Sequence, residues 1–509
     1  VPALLQLAAY ADALRSGGIT PSDEVHLMLG DGSDSVHSLV EILPVYRQSR
    51  EHLQHILDEH HAEGTVVDWF DPRYSGCGQC EACTIEVEQH RDLVLVAGMR
   101  ASTRERLLDA GIATVDELAA STGTVQGMSS RTLTNLRAQA ELQVRQERSG
   151  DAEFEIFDAD ALGVIPEPDP GDIFFDFEGD PLWAEAGSSE WGLEYLFGVH
   201  TADGDFLPFW AHDRAQERRA LIDFLDYVTT RRAAHPNMHV YHYAPYEKTA
   251  LLRLAGRYGV GEDAVDDLLR DDVLVDLYPI VRSAVRIGAR SYSIKKLEPL
   301  YMPAARDGDV TDAAASIVEY ANWCDLRDQG KDAEAAALLS EIAEYNRTDC
   351  ESTQRLRDWL LARASDAGVH PRTTQHLEFE DAAVDTASPL ELELAEYAGL
   401  PWERTSTQQA VALFAGSIGY HRRERKPFWW AHFDRLTHPL DEWADAADVL
   451  KVERAELVHD WMKTAPNQRV LRRQLKLLGH LSNGVLSSSK VKLLYDDPAP
   501  EGLPKQQPT

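Results

Sequence analysis

The sequence predicts an α/β protein, and three observations carry that expectation. From 173 to about 365, short β-rich runs ("DIFFDFEG", "YLFGVHT", "HVYHY", "VLVDLYPIV") alternate with helical stretches such as "AQERRALIDFLDYVTTRR", the pattern of a sheet covered by helices. Ahead of that block the apolar period is helical. Leu4, Leu5, Leu7, Ala8 and Ala11 form one stripe, and "LVEILPVYRQSREHLQHILDEH" forms a second. Finally, 509 residues with 44 % hydrophobic and 27 % charged side chains suffice for two to four domains with substantial cores.

Taken in order, residues 1–90 hold the two helical stripes around "VHLMLGDGSDSVHSLVEI", read as a strand, a Gly-Asp-Gly turn and a short return. The cysteine cluster "YSGCGQCEAC" follows. Residues 91–150 read as all-helical. The Pro- and Asp-rich stretch "DADALGVIPEPDPGD" places a linker at 151–171. Residues 172–365 are the α/β block, 366–450 an acidic helical region, and 451–509 a small basic segment with a tail. The first residue is Val, so a piece of a longer protein is expected. No apolar run approaches 18 residues and the start lacks a basic n-region, so neither a membrane span nor a signal peptide is expected, and the location expected is cytoplasmic. A net charge of −35 argues against a surface that holds polyanions all over, while leaving room for a local basic groove. Five cysteines, three of them clustered, do not form a secreted disulfide framework.

The chemistry is concentrated in acids at odd places. In "GDIFFDFEGDP", Asp176 and Glu178 interrupt a run of Ile and Phe. Residues i and i+2 of a strand share a face, so both carboxylates point one way and Ile173, Phe175 and Phe177 the other. Two adjacent carboxylates repel, and a divalent cation relieves that; a strand end whose acids simply face water is the bland alternative. Downstream, "VYHYAPYEKTALLRL" puts Glu247 at a strand–helix junction. "EIAEYNRTDCESTQRL" sets Tyr345 and Asp349 at i and i+4, on one helical face; alone, the pair reads equally as a core tyrosine beside a solvated aspartate. Asp276, in "VLVDLYPIV", reads as a strand-end or supporting acid. Lys295 and Lys296, in "SYSIKKLEPLY", are either phosphate contacts or an exposed helix start.

A D-x-E strand, an acid at a strand–helix junction and a late helical Y-x-x-x-D resemble, in that order, the DnaQ-like 3′–5′ exonucleases of the Tyr-bearing class, over about 173–360. The resemblance implies a ribonuclease-H-like mixed sheet with flanking helices, and phosphodiester hydrolysis by two Mg²⁺ or Mn²⁺ ions about 4 Å apart. It implies Asp176 bridging both ions, Glu178 and Asp349 completing their shells, and Tyr345 positioning the attacking water. The second motif usually carries Asp; here Glu247 stands there, and the longer side chain can reach a cation through a water.

Cys77, Cys80 and Cys83 follow C-x2-C-x2-C spacing, a density of thiols that points to metal, either zinc or an iron–sulfur cluster. "LLQLAAYADAL" holds Q-x-x-x-Y (Gln6, Tyr10) and resembles the last motif of RecB-like nucleases, which in the iron–sulfur members precedes a cysteine cluster. The resemblance implies that 1–90 is the C-terminal part of a RecB-like nuclease domain, with a 4Fe–4S cluster in the full-length parent whose fourth cysteine lies upstream. "RERLLDAGIATVDELAAS" resembles a helix-hairpin-helix module, which aims backbone amides at phosphate; an ordinary αα-hairpin is the alternative. The run "GYHRRERKPFWW" adds Arg422, Arg423, Arg425 and Lys426 for backbone charge and Trp429 and Trp430 for base stacking, or else a basic turn entering an aromatic core.

The whole order resembles RecB-like nucleases that carry a ribonuclease-H-like exonuclease domain and often a helicase. Implied partners are nucleic acid, DNA ahead of RNA, and a helicase in cis or in trans. The sequence contains no G-x-x-x-x-G-K-S/T and so no ATP site of that kind. The expected function is a metal-dependent exonuclease on single-stranded ends, in DNA repair by resemblance. A non-catalytic nucleic-acid-binding scaffold and a helicase-docking module are the rivals.

Overall fold

The computed structural model describes residues 2–28, 34–64, 68–70, 76, 80–185, 190–303, 313–371, 388–399, 404–418, 420, 450–462 and 472–481. The chain divides into two compact units, Val1–His90 and Arg91–Thr509.

In the first unit, helices Pro2–Ser16 and Leu39–Glu63 pack through Ala8, Ala11, Leu39 and Leu43. An antiparallel hairpin, Glu24–Met28 with Asp34–Ser38, joins them. Gln6 and Tyr10, one helical turn apart, bond to each other through Nε2 and the hydroxyl at 2.6 Å. Cys80 caps the helix Glu81–Gln89, its Sγ accepting from the Cys83 N–H at 3.5 Å. Cys77 lies outside the described residues.

The second unit opens with a helical module: Ala101–Asp109, Val115–Ala120 and Ser130–Ser149 around Leu107, Val115, Leu118 and Leu136. The turn between its first two helices needs Gly111, at φ 78°, where other residues are strained. All four turn amides are bonded within the turn. Gly111 and Ile112 donate to the Leu108 and Leu107 carbonyls. Ala113 and Thr114 donate to Oε2 of Glu117, at 2.8 and 3.1 Å. The Glu117 carboxylate thus caps the amides at the start of the second helix, in a capping box with Thr114.

Residues 151–171, expected to be a linker, carry ordered structure. Phe154–Ile156 pairs antiparallel with Val285–Ile287, and Leu162 and Ile165 are fully buried. Their Asp residues make turns; the Asp169 carboxylate, for instance, accepts from the Gly171 N–H at 2.7 Å.

The α/β block is a five-stranded mixed sheet. Its strands are β1 (Ile173–Asp180), β2 (Leu193–Thr201), β3 (Phe206–Trp210), β4 (Val240–His242) and β5 (Leu274–Asp276), in spatial order β3-β2-β1-β4-β5. The first three are antiparallel neighbours, and β4 and β5 run parallel to β1. Helices α1 (Arg214–Ala234), α2 (Tyr246–Tyr258) and α3 (Glu262–Arg270) cover one face, where Ile173, Phe175 and Phe177 pack with Leu221 and Phe224. On the other face Phe174 and Tyr241 meet α4 (Leu277–Ala284) and α6 (Asp332–Asp366), through Ile280, Val281, Leu356 and Leu360. Helix α5 (Ala313–Asp328) adds Tyr320, stacked on Tyr195 at 3.8 Å and 5°. This is the ribonuclease-H-like architecture, a mixed sheet with flanking helices. Beyond it lie helices Pro389–Ala398 and Ser406–Ile418, and a long antiparallel hairpin, Leu450–Met462 with Arg472–Leu481.

Candidate metal centre

The alternation of β1 decides where the acids go. With Phe175 and Phe177 buried under α1, Asp176 and Glu178 face α6. On α6, Tyr345 and Asp349 are separated by one turn, and Asp349 meets the strand. Asp176, Glu178 and Asp349 each bring a carboxylate oxygen into a group whose members all lie within 4.8 Å of one another.

Two small-residue devices let the helix come this close. Gly198 of β2 sits opposite Asp176, and a Cβ there would fall 1.5 Å from Oδ1 of Asn346. Asn346, fully buried on α6, donates from Nδ2 to Oδ2 of Asp176 at 2.8 Å. One turn on, the buried Cys350 donates its S–H to the Gly198 carbonyl at 3.4 Å.

The electrostatics are those of a site short of positive charge. Glu178 is 5 % exposed, and its pKa is pushed up to about 8, by burial first and then by the charge of Asp349. Hydrogen bonds from Ser316 and Asn346 and the charge of Lys295 work in the opposite direction. Ser316, on α5, is itself paired with the Tyr195 hydroxyl at 2.7 Å. Three clustered oxygens of anionic type, one of them raised by burial and repulsion, fit a hard divalent cation.

That fit has a testable consequence for pH. Between its ordinary value of 4.5 and about 8, folded Glu178 keeps a proton that the unfolded chain has released. The metal-free protein should therefore lose stability as pH rises through this window, by up to about 1.4 kcal/mol per unit. Below about 4.5 this penalty is absent, and above about 8 it is complete. Unfolding midpoints from pH 5 to 8 should show the slope in chelator, and a divalent cation should flatten it. Glu178→Gln should remove it, and the same slope in that variant would refute the assignment.

Glu247 takes a different place. It lies in the first turn of α2, 3 % exposed, outside the group of three. Its Oε2 is 3.3 Å from Nδ1 of His242 at the end of β4. His242 Nδ1 is bonded to the Ala244 carbonyl at 2.9 Å; burial raises the Glu247 carboxyl and the nearby His242 opposes this. For His242, burial works against the charged form, but the nearby Glu247 carboxylate and the charge of Asp276 prevail and raise its pKa. The Cys350 thiol, raised chiefly by burial, feels the charge of Glu247 as well as those of Asp176, Asp349 and Glu178.

Asp276 is a strand-end tie. Its Oδ1 accepts from the Tyr278 N–H at 2.9 Å, capping α4, and from the Ala244 N–H at 2.8 Å. Ala244 is held at φ 73°, so this bond fixes a strained turn between His242 and Glu247. Lys295 joins the site, its Nζ donating to the Tyr345 hydroxyl at 2.6 Å. Asn346, Ser316 and His242 were not foreseen from sequence. The signal for Asn346 was an uncharged polar residue between Tyr345 and Asp349; for His242 it was a histidine closing an apolar strand five residues before Glu247. Arg422, Arg423, Arg425, Lys426, Trp429 and Trp430 lie outside the described residues.

Residues 173–361 match the family model of the RNase_H superfamily. The matched span begins with β1 and ends in α6, so it contains every carboxylate above. The match supports a ribonuclease-H-like nuclease domain over these residues, and with it phosphodiester hydrolysis, a nucleic-acid substrate and the use of a divalent metal. No curated protein and no solved structure matches the chain. Among the described residues, no helix is long and apolar enough to cross a membrane.

Proposed function

We propose that the chain is a 3′–5′ exonuclease of the DnaQ-like, Tyr-bearing type, acting on single-stranded nucleic acid, DNA ahead of RNA. The observation that carries this reading is the convergence of Asp176, Glu178 and Asp349, with Tyr345 one turn from Asp349 on the same helical face. Mg²⁺ or Mn²⁺, a pair of ions in this reading, would supply a water made nucleophilic near neutral pH and a counter-charge for the leaving oxygen.

The chain's own residues do the positioning. Asp176, Glu178 and Asp349 would hold the cation pair. Asn346 fixes the rotamer of Asp176 through its 2.8 Å bond, and Ser316 steadies Glu178. Tyr345, buried at 8 % exposure, presents its hydroxyl to the reacting oxygen. Glu247, braced by His242, borders the centre and reaches it through water. The RecB-like ancestry of residues 1–90, a 4Fe–4S cluster on Cys77, Cys80 and Cys83 in the full-length parent, strand contacts from Arg422 to Trp430, a helicase partner and a role in DNA repair belong to the same proposal and rest on motif resemblance.

The test is a 3′- or 5′-end-labelled single strand incubated with the full chain and Mn²⁺. Stepwise shortening from the 3′ end is expected, and chelator should stop it. Tyr345→Phe should slow cleavage about 10- to 100-fold without changing Mn²⁺ affinity. Internal cuts, or cleavage indifferent to chelator, would sink the reading. One observation favours a second reading: the Glu247 carboxylate is engaged with His242 outside the group of three, as in a scaffold that binds strands without cutting them. Binding with no turnover in Mg²⁺ or Mn²⁺ would select it.

A further inference from the structure

The short helix Ile294–Leu297 carries Lys295 and is tied to α6 at its C-terminal end. Leu297 is fully buried in the same core as Leu356 and Leu360. Next to it, Glu298 accepts a hydrogen bond from the Ser352 hydroxyl of α6 at 2.9 Å. The Lys295 ammonium is thus held beside Tyr345, which lies about two turns before Ser352 on α6. It lies 2.6 Å from the Tyr345 hydroxyl and 4.9 Å from the ring centroid.

The direction of that bond follows from the groups. An ammonium only donates, so the Tyr345 oxygen accepts, and the single hydroxyl proton must point elsewhere. A phenol free of such a neighbour can serve as donor or acceptor; one held by a lysine is left to donate. We propose that Lys295 is a positioning residue that fixes the Tyr345 hydroxyl as a hydrogen-bond donor toward the reacting oxygen, an inference that rests on the nuclease reading. Lys295 therefore acts through Tyr345, in addition to the charge it sets against Glu178.

The experiment is a double-mutant cycle on the full chain, with end-labelled single strand and Mn²⁺. Lys295→Met and Tyr345→Phe should each lower kcat about 10- to 100-fold with KM little changed. The double variant should be no slower than the worse single one, because two members of one unit are not additive. Lys295→Arg, which keeps a donor, should recover part of the loss. A second readout needs neither metal nor turnover: in protein labelled at tyrosine Cζ, the resonance that Tyr345→Phe deletes should shift in Lys295→Met. Additive losses, a rise in KM at constant kcat, or an unmoved resonance would each overturn the inference. A wild-type protein that cleaves nothing, beside a resonance that does shift, would instead overturn the nuclease reading.

Discussion

Asp176→Asn should lower strand cleavage by at least ~10³-fold while leaving the protein as stable as before, or more so. The substitution keeps an oxygen that can accept from Asn346 Nδ2, a bond now 2.8 Å long, so the packing of α6 on β1 is preserved. What it removes is one anionic oxygen from a group of three within 4.8 Å. A cation held by such a group supplies several kcal/mol of transition-state stabilisation, which sets the size of the loss. In chelator the same change relieves repulsion against the Asp349 carboxylate, which lies in the same group, so the melting temperature should hold or rise. In Mn²⁺ the rise in melting temperature seen for the wild type should shrink. Cleavage within tenfold of wild type, or a protein that unfolds, would return Asp176 to the role of a strand-end acid facing water.

Gly198→Ala should be the more damaging change to the fold, although it adds only a methyl group to a residue with no chemistry of its own. The new Cβ would sit 1.5 Å from Oδ1 and 2.7 Å from Cγ of the fully buried Asn346. Either Asn346 leaves Asp176 or α6 lifts from the sheet. Overpacking of this kind costs about 1–3 kcal/mol, and a buried amide left without its carboxylate adds about 1–3 kcal/mol. Because α6 also carries Asp349 and Tyr345, cleavage should fall along with the unfolding midpoint in urea. Combining Gly198→Ala with Asn346→Ala removes the clash and should restore most of the midpoint. A Gly198→Ala protein with wild-type stability would show that the helix does not pack against β2 this tightly.

Much of the site was legible because its key residues obey short periods. The two-residue period of an apolar strand puts Asp176 and Glu178 on one face, and the i, i+4 spacing of a helix pairs Tyr345 with Asp349. What could not be read depends on which faces meet. Gly198 and Asn346 are ordinary in their own elements and become matched only when α6 lies across β2. The burial of Leu162 and Ile165 depends on partners far along the chain, so a local composition rich in Pro and Asp read as a linker. The strand Leu450–Met462 places charges at Lys451, Glu453, Arg454 and Glu456, and its pairing shifts register three times, so no clean alternation marks it. At Glu247 the spacing located the junction correctly. Which way the carboxylate turns was set by His242 and the strained Ala244, which no periodicity encodes.

The separation of the acids along the chain has a consequence for how the protein is made. Glu178 lies in the first strand of the sheet and Asp349 in its last helix, so roughly 170 residues must be synthesised between them. At about 5–20 residues per second, a ribosome needs on the order of 10–30 s to supply that missing carboxylate. Throughout that interval the nascent chain, held beside messenger and ribosomal RNA, has Asp176 and Glu178 in hand but not the group of three. A nuclease domain assembled in this order would be born without its cutting edge. Truncated products ending before Asp349 would be harmless to the nucleic acids around them.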